Sequence, residues 1–434
     1  MTSRRNFLIA AGSATIAPAF LPGAAQAAST PAKVARFGGS FPELERQFAA
    51  LYDVDRSVVN LDAAYYGAMT KPVKAAYTRH LDWMNRYNST FLRNGVEGVS
   101  RDAVLGAPVA AVEKLIGAQA GEVAFSAGGT DALYALIANY RPLKAGDSVI
   151  YADVDYDEMQ FAMDYLQANR GAKVVRFSLP VPSTRANILA AYEKVLNETP
   201  SAKLLLLTHV SNRNGLIPPV AEIIRMAKAR GVDVILDSAQ AVGQMPLDVN
   251  ALGADFVGFS LHKWLAAPLG TGGIYIRKNR LQDISPWLGN RIYDADDIRA
   301  RLPTGTANVA AQLTVTDAAE LQGHIGLNRK FEHLKALRNR WVEPVRELPG
   351  LEMTLPDEPA NYAAISSFRL PGMRTVEQTK KAQALFLAKY KLMIVAKAGL
   401  AGGAVLRVTP GLYNTGADLD RLVGAVRAEY KMFA

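Results

Sequence analysis

Residues 234–243, VILDSAQAVG, and residues 254–264, ADFVGFSLHKW, are the two stretches that decide the fold of this chain. Each opens with an apolar run of β-strand length, and the runs end in polar residues, Asp237 in the first and Ser-Leu-His-Lys263 in the second. In open α/β sheets, ligands bind at the carboxyl ends of the strands. A strand-end Asp is often only a helix cap, and a single Lys is usually exposed to solvent. The two blocks together nevertheless predict one crevice that both side chains face.

The same pattern extends over residues 120–280, where short apolar runs alternate with amphipathic stretches of helical length. Seven runs are predicted to be strands: residues 123–126, 148–152, 173–177, 203–208, 233–236, 255–260 and 273–276. Four intervening stretches are predicted to be helices: residues 131–139, 158–169, 185–196 and 220–229. The run 203–208, KLLLLT, is apolar without alternation, which is typical of a parallel strand covered on both faces. The sequence therefore predicts an α/β fold with a mostly parallel seven-stranded sheet and helices on both sides.

A different pattern follows residue 325 and predicts a smaller α+β domain at the C-terminus. Its predicted elements are a helix that ends near residue 347, a strand at 363–370, a helix at 376–390, a strand at 404–408 and a helix at 417–430. Thr415 or a neighbouring residue is expected to cap the last helix. We expect a large domain over residues 61–320, a small domain over residues 321–434, and an N-terminal arm, residues 28–60, that packs on the small domain.

Asp237 and Lys263 together indicate a particular cofactor chemistry. A carboxylate at this edge of the sheet could pair with a ring nitrogen of a bound cofactor and keep that nitrogen protonated. A lysine whose pKa is lowered by its surroundings can form a Schiff base with a carbonyl group. Pyridoxal phosphate requires both groups. The sequence therefore predicts a pyridoxal-phosphate site at this edge.

The phosphate of such a cofactor also needs a binding site, and residues 124–131, AFSAGGTD, provide a candidate. This stretch joins a predicted strand to a predicted helix. Its glycines permit close approach of the backbone, and the N-terminus of the helix offers unpaired N–H groups to an anion. Gly-Gly turns are common, so the stretch is informative only together with the block that contains Lys263.

The first residues of the chain predict export. Residues 2–8, TSRRNFL, place two arginines before a moderately apolar stretch that ends in Ala-Gln-Ala, residues 25–27. This pattern is typical of a secretory signal peptide, and the paired arginines resemble the twin-arginine export signal. The alternative is a transmembrane anchor, but Pro18 and Pro22 make this stretch a poor membrane span. We therefore expect recognition by the twin-arginine export machinery, cleavage after Ala27 and a periplasmic location.

The composition disfavours several other classes of protein. The net charge is +9, or +7 once the two signal-peptide arginines are removed, but no run of Lys and Arg is interleaved with aromatic residues, so nucleic-acid binding is not expected. The chain has no cysteine, which excludes disulfides, thiolate metal sites and a cysteine nucleophile. Five scattered histidines give no zinc-ligand spacing, so no metal site is expected. A nicotinamide site is disfavoured because no strand–Gly-x-Gly-x-x-Gly–helix unit is present.

From about Leu61 to the C-terminus, the chain resembles the class V aminotransferase family, whose members share the fold-type I architecture of pyridoxal-phosphate enzymes. The resemblance is most specific over residues 237–263, and it extends to the loop HVSNRNGLIP, residues 209–218. It implies that Lys263 carries the Schiff base and that Asp237 binds the pyridinium nitrogen. The other cofactor-binding residues that it implies are Gln240 and Asn212 near the ring hydroxyl, Tyr156 stacked on the ring, and Gly129, Thr130, Ser260 and His262 around the phosphate.

Further motifs imply a partner subunit and a substrate site. Residues 303–308, PTGTAN, resemble the family's segment that reaches the phosphate of the neighbouring subunit, which implies a homodimer in which Thr306 makes this contact. Residues 406–415, LRVTPGLYNT, resemble the family's C-terminal motif. Its arginine, here Arg407, clamps the substrate carboxylate through a bidentate fork. The stretch LDAAYYG that starts at Leu61 resembles the isopenicillin-N-epimerase-like branch, and we expect Tyr65 within it to contact the substrate.

The resemblance leaves the reaction open. An aminotransferase that acts on an amino acid or a peptide-derived metabolite is the leading hypothesis, and an epimerase or lyase of the isopenicillin-N-epimerase type is the alternative. Free keto acids are scarce outside the cytoplasm, so maturation of a secreted siderophore of the pyoverdine kind is a further alternative. Cysteine desulfurases commonly use an active-site cysteine as sulfur acceptor, which this chain lacks. The non-enzyme alternative is a catalytically silent binding protein that has kept the fold.

Overall fold

The computed structural model describes residues 37–434, so the predicted signal peptide, residues 1–27, lies outside the described residues. The α-helices within the described part are α1 (Phe41–Ala49), α2 (Lys71–Asn94), α3 (Arg101–Ile116), α4 (Gly129–Ala138), α5 (Asp157–Arg170), α6 (Arg185–Glu198), α7 (Val220–Lys228), α8 (Val249–Leu252), α9 (Val309–Ile325), α10 (Leu327–Val345), α11 (Val376–Tyr390) and α12 (Gly416–Glu429). The strands are β1 (Val59–Asn60), β2 (Val123–Ser126), β3 (Ser148–Ala152), β4 (Lys173–Phe177), β5 (Ala202–Thr208), β6 (Asp233–Asp237), β7 (Phe256–Ser260), β8 (Gly272–Ile276), β9 (Glu352–Met353), β10 (Ser366–Arg369), β11 (Leu392–Met393), β12 (Val395–Lys397) and β13 (Val405–Val408).

A seven-stranded sheet forms the centre of the molecule, with the strand order β2-β8-β7-β6-β5-β3-β4. Strand β8 runs antiparallel to its two neighbours, and the other pairs in the sheet are parallel. This confirms the predicted mostly parallel seven-stranded sheet. The seven strands predicted for this sheet match the observed strands to within one residue at either end, and the four helices predicted between them match to within two.

The central sheet is buried on both faces, and strand β5 shows how its sequence achieves this. Leu205 and Leu207 pack in the core on the side of α6 and α7. Leu204 and Leu206 pack in the core on the other side, with α4 and α5. Since successive side chains of a strand point to opposite faces, a run of leucines serves both cores at once.

A second, smaller sheet lies in the C-terminal part of the chain, with the order β12-β13-β10-β9 and antiparallel pairing throughout. Its own core contains Trp341 of α10, Phe386 of α11, Leu422 of α12 and Phe368 of β10. Strand β1 joins this part by pairing in parallel with β11. The helix predicted after residue 416 begins as expected, because the Thr415 hydroxyl caps it by accepting a hydrogen bond from the Asp418 N–H.

The sequence pattern does not predict three long helices, α2, α3 and α9, of which α2 and α3 both pack against α9. Helix α9 continues to Ile325 and ends at Gly326, where φ is +83°. The expected domain boundary at residue 320 therefore falls inside this helix. Within residues 37–434, no helix combines the length and the apolar character that crossing a membrane would require.

Candidate active site

A cavity of about 440 Å³ lies at the carboxyl edge of the central sheet. Its walls contain eleven of the twelve side chains that the sequence predicted for the site, namely Tyr65, Gly129, Thr130, Tyr156, Asn212, Asp237, Gln240, Ser260, His262, Lys263 and Arg407. A cavity of this size is within the usual range for small-molecule and cofactor sites. The remaining predicted residue, Thr306, is exposed in the loop before α9 and does not line the cavity of its own chain.

Strand register brings these residues together. Asp237 at the end of β6 lies between Thr208 of β5 and Gly258 of β7. Ser260, two residues beyond Gly258, ends β7 at the same edge of the sheet. Strand β2 ends at this edge too, so the turn that follows it faces the loop that carries Lys263.

The turn after β2 forms a cradle for an anion. Helix α4 begins at Gly129, and the Gly129 N–H donates a hydrogen bond to the Ser260 hydroxyl at 3.2 Å. A Cβ at Gly129 would lie only 2.7 Å from that hydroxyl oxygen and 3.2 Å from the Cβ of Ala239. The residue must therefore be glycine for the helix N-terminus to sit against the cavity. Its first N–H groups, together with the Ser260 and Thr130 hydroxyls, suit a phosphate.

His262 lies beside this cradle with its ring held in one orientation. Its Nδ1 is 2.9 Å from the Thr271 carbonyl oxygen, and because a carbonyl only accepts, Nδ1 carries the hydrogen. The other nitrogen, Nε2, remains for a ligand. Burial lowers the pKa of His262, and the nearby Lys263 lowers it further. A phosphate beside Nε2 would act in the opposite direction and favour the charged ring.

Asp237, which is buried, and Lys263, which is half-buried, both line the cavity, and their opposite charges act on each other. Burial raises the pKa of Asp237, whereas the Ala239 N–H, which donates to its Oδ1 at 2.9 Å, and the charge of Lys263 lower it. Burial likewise lowers the pKa of Lys263, against the opposing effect of Asp237. Because only one carboxylate oxygen of Asp237 has a donor among the described residues, the other can accept a hydrogen bond from a protonated ring nitrogen.

The residues expected around the cofactor ring differ in how many of their polar atoms are still available for hydrogen bonds to a ligand. Asn212 Oδ1 is buried and has no hydrogen-bond partner among the described residues, so it fits a ligand hydroxyl. Gln240 is already engaged, because its Nε2 donates to the Ala64 carbonyl at 2.9 Å and its Oε1 accepts from the Trp264 indole at 2.7 Å. Only one amide hydrogen of Gln240 remains for the cofactor. Tyr156 is half-buried at the N-terminus of α5 and lines the cavity.

Arg407 is part of the cavity wall, and much of its hydrogen-bonding capacity is used within the protein. Its Nη2 forms a buried salt bridge with Asp62, and its Nη1 donates to the Asn212 carbonyl at 2.7 Å. Its Nε is buried without a partner in the described chain. A carboxylate clamp at Arg407 would therefore use Nε and the remaining hydrogens of the fork. Tyr65 stands at the mouth of the cavity with 71% of its surface exposed.

Lys397 is a cavity residue that the sequence did not single out. It lies on β12, and burial, followed by the nearby Arg407, lowers its pKa to about 8. The sequence does contain a weak signal, because Lys397 and Arg407 flank a glycine-rich stretch that could be a hairpin turn. Placing Lys397 beside Arg407 requires the register between the short strands β12 and β13, and the sequence pattern does not reveal that register.

Within residues 37–434, no cluster of three or more histidines and carboxylates could hold a metal ion. The donors present are instead suited to an organic cofactor that carries a phosphate, a hydroxyl and a basic ring nitrogen. The orphaned Asn212 oxygen, the cradle that only glycine permits at residue 129, and the free oxygen of Asp237 all fit that description. A central sheet of this topology around such a cavity is the arrangement of pyridoxal-phosphate enzymes of fold type I.

Comparisons with known proteins agree with this class. The family model "Aminotransferase class-V" matches residues 80–422, and the chain belongs to this family. Pyridoxal phosphate is accordingly its cofactor.

The curated relatives differ in their named activities. Isopenicillin N epimerase from Amycolatopsis lactamdurans is 26% identical over 398 residues, which cover 86% of this chain and 96% of the relative. A cysteine desulfurase from Serratia proteamaculans is 27% identical over 427 residues, which cover 92% of this chain and 98% of the relative.

The solved structures show the same fold. The cysteine desulfurase CsdA from Escherichia coli superposes with a TM-score of 0.75 at 25% identity, covering 90% of this chain and 99% of that one. A C-DES variant with glycine covalently linked to its pyridoxal-phosphate cofactor gives a TM-score of 0.72, covering 87% of this chain and 97% of that one. Its sequence identity is 17%, so the likeness to it concerns the fold alone.

Proposed function

We propose that this protein is an exported aminotransferase that acts on the amino group of an amino acid or a peptide-derived metabolite. The observation that carries the proposal is the placement of Lys263, Asp237 and Arg407 around one cavity. They supply a base, a partner for the ring nitrogen and a contact for a substrate carboxylate. Pyridoxal phosphate, when bound, supplies a carbonyl group for amines and an electron sink for negative charge at the substrate α-carbon.

Lys263 is the residue that would move the proton. Because burial lowers its pKa, Lys263 gives up its proton more readily than an exposed lysine does, and the uncharged amine is the form that acts as a base. With a substrate bound beside the cofactor, Lys263 Nζ would be the group that accepts the proton of the α-carbon. Asp237 meanwhile keeps the ring nitrogen protonated, which helps to draw negative charge away from that carbon.

The destination of this proton separates the candidate reactions. If Lys263 gave the proton to the cofactor and not back to the α-carbon, release of the keto product by water would leave the amino group behind for a keto-acid acceptor. Delivery of a proton to the opposite face of the α-carbon would give epimerisation, the activity named for isopenicillin N epimerase of Streptomyces clavuligerus, which is 26% identical over 314 residues, or 68% of this chain and 76% of the relative. Epimerisation is therefore the second candidate.

Desulfuration is disfavoured although several relatives are named cysteine desulfurases. The chain contains no cysteine, so it has no thiolate to accept sulfur from a substrate. Tyr65 and Tyr156, which line the cavity, have side chains that cannot accept sulfur in this way. The proposal therefore favours a substrate on which only carbon–nitrogen or carbon–hydrogen bonds are broken.

Location and assembly form the other part of the proposal. The paired arginines and the Ala-Gln-Ala sequence support twin-arginine export and a periplasmic location, where a secreted metabolite, for example a pyoverdine-like siderophore, is a fitting substrate. The homodimer is supported by the motif around Thr306, which is exposed and available to a neighbouring subunit. Tyr65 and Tyr66 are also exposed, by 71% and 48%.

The test is a screen of the purified, cofactor-loaded enzyme against amino acids and peptide amines, with the visible absorbance of the cofactor as readout. An aminotransferase should convert the bound cofactor to its amine form with a donor and recover it with a keto acid. Lys263→Ala should abolish both changes, whereas Lys74→Ala, at an exposed position on α2, should leave them intact. Exchange of the α-hydrogen without amino transfer would favour the epimerase, and no response to any donor would favour a silent binding protein.

A further inference from the structure

Lys397 and Arg407 lie on the same face of the small sheet. Strands β12 and β13 pair antiparallel, with Val395 opposite Arg407 and Lys397 opposite Val405. Opposite residues share a face and successive residues alternate, so Lys397 is the diagonal neighbour of Arg407. Both residues line the active-site cavity. The site thus contains a second cation on its substrate side.

The loop after Lys397 is tied to the large domain, which fixes the lysine in place. Arg213 Nη1 donates to the Ala398 carbonyl at 2.7 Å, and the Ala401 N–H donates to Asp153 at 3.0 Å. Gly399 has φ +94°, and a Cβ there would lie 1.0 Å from Arg213 Nη1. Only glycine permits this contact, so the loop packs directly against the Arg213 side chain.

The two cations differ in how their charge is balanced. Arg407 is paired with the buried Asp62. Lys397 forms no hydrogen bond through its Nζ and no salt bridge with any described residue. Besides Arg407 and Asp62, the charged residues that act on its pKa are Asp157 and Lys263. Asp157 is half-exposed and already paired with Arg213, while Lys263 is committed to the cofactor. One positive charge, that of Lys397, is left for the substrate.

We propose that Lys397 supplies the charge, and Arg407 the directional hydrogen bonds, for a single substrate carboxylate, and that the rest of the substrate is uncharged. This rests on the proposed action on an amino acid or peptide-derived amine. A second carboxylate would find no unbalanced cation among the described cavity residues, since His262 faces the phosphate cradle. Tyr65, which is exposed at the mouth of the cavity, is an uncharged aromatic side chain and suits a neutral extension of the substrate.

The test measures the binding of carboxylates that have no amine, so it does not depend on turnover. The dissociation constants of propionate and succinate are determined from their effect on the visible absorbance of the cofactor-loaded enzyme. Wild type should bind propionate, and Lys397→Met should weaken this binding about tenfold or more because a charge-assisted hydrogen bond is lost. Lys397→Arg should restore it, and Lys74→Met should match wild type. Succinate should bind no more tightly than propionate.

The pH dependence of propionate binding gives a second readout, which does not require a variant that removes the charge of Lys397. With its pKa lowered to about 8 by burial and Arg407, Lys397 is charged below that pH and neutral above it. Propionate affinity of wild type should therefore fall as the pH rises through about 8, while Lys397→Arg should hold its affinity there. Unchanged propionate binding in Lys397→Met, an unaltered pH profile in Lys397→Arg, or tenfold tighter binding of succinate than of propionate would overturn the proposal. Failure of the amine-donor screen would instead count against the proposed function.

Discussion

Burial of Asp237 and Lys263 in one cavity sets the properties of both groups. Burial favours the neutral form of each, which raises the pKa of the carboxyl group and lowers that of the amine. Their mutual attraction opposes both changes. A cofactor that supplies a pyridinium would replace Lys263 as the partner of Asp237 and would release the amine for bond formation.

Replacement of Asp237 by Asn should test this division of roles. Asparagine keeps the shape but cannot balance the charge of a protonated ring nitrogen, so we expect turnover to fall by about two orders of magnitude or more. Steady-state kinetics and the cofactor spectrum measure the effect. Asp82→Asn, at an exposed position on α2, is the matched control and should behave as wild type. Comparable activity of the two variants would contradict the role given to Asp237.

Single residues also show which parts of the site could be predicted from the sequence. Lys263 and Asp237 could be predicted from the sequence because each follows a recognisable strand and both lie within one short segment. The engagement of Gln240 by Ala64 and Trp264, and the pairing of Arg407 with Asp62, join residues far apart in the chain. Such contacts depend on how elements dock, and local periodicity carries no information about docking.

At the scale of elements, the N-terminus of α4 is the feature on which we expect binding of the cofactor phosphate to depend. The helix begins at Gly129 directly after the turn from β2, with its first N–H groups at the cavity. Helix N-termini attract anions through both the unpaired N–H groups and the helix dipole. The cradle is therefore made of backbone and requires a residue without a side chain at its start.

Gly129→Ala should disrupt this element. The added Cβ would lie 2.7 Å from Ser260 Oγ, so the turn and the strand must move apart. We expect the affinity for pyridoxal phosphate to fall about tenfold or more, because overpacking of this kind costs about 1–3 kcal/mol. Titration of the apoenzyme with the cofactor measures this. Gly106→Ala within α3, where a Cβ would meet nothing within 4 Å, should bind the cofactor as wild type does. Equal affinities in both variants would argue against the cradle.

Elements were predicted well where their burial pattern is simple. The strands of the central sheet are short continuous apolar runs, and their bounds were found to within one residue. Helices α3 and α9 were not predicted. Helix α3 contains Pro108, and both helices are rich in alanine, which weakens the difference in polarity between their two faces. The short strands β9, β11 and β12 have at most three residues each, too few for a period to show.

At the scale of the whole molecule, Arg213 connects the two parts of the chain. It is buried, it donates to Ala398 in the C-terminal part, and it reaches Asp155 and Asp157 in the large domain. Its Nε has no partner in the described chain. The contact places Lys397 over the cavity, so stability and substrate binding are linked through one side chain.

Arg213→Met should therefore reduce stability and carboxylate binding together. Loss of its hydrogen bonds leaves the Ala398 and Asp155 carbonyls without this donor, and we expect the free energy of unfolding to fall by about 2–4 kcal/mol. Urea denaturation measures the change, and propionate titration measures the effect on the site. Arg225→Met, at a position where 75% of the side chain is exposed, is the control and should change little. Unaltered stability would show that the loop is held by other contacts.

The proposed export depends on residues outside the described part, namely the paired arginines Arg4 and Arg5. Changing Arg4 and Arg5 to Lys should leave the protein in the cytoplasm, because the twin-arginine machinery reads the pair rather than its charge. Cell fractionation with an antibody measures the distribution. Arg36→Lys, which conserves charge in the same way beyond the predicted cleavage site, should still be exported. Periplasmic recovery of the double variant would contradict twin-arginine export.

The attachment point of the cofactor tests the central claim most directly. The cofactor-loaded protein is treated with sodium borohydride, digested and mapped by mass spectrometry, so that the cofactor is found on the lysine to which it is bonded. We predict modification of Lys263 alone. Lys397 lines the same cavity as Lys263. Lys330 is buried and lines a second, smaller cavity that Lys263 also borders, with its Nζ donating to the Trp264 carbonyl. Modification of Lys397 or Lys330, or of no lysine, would contradict the account.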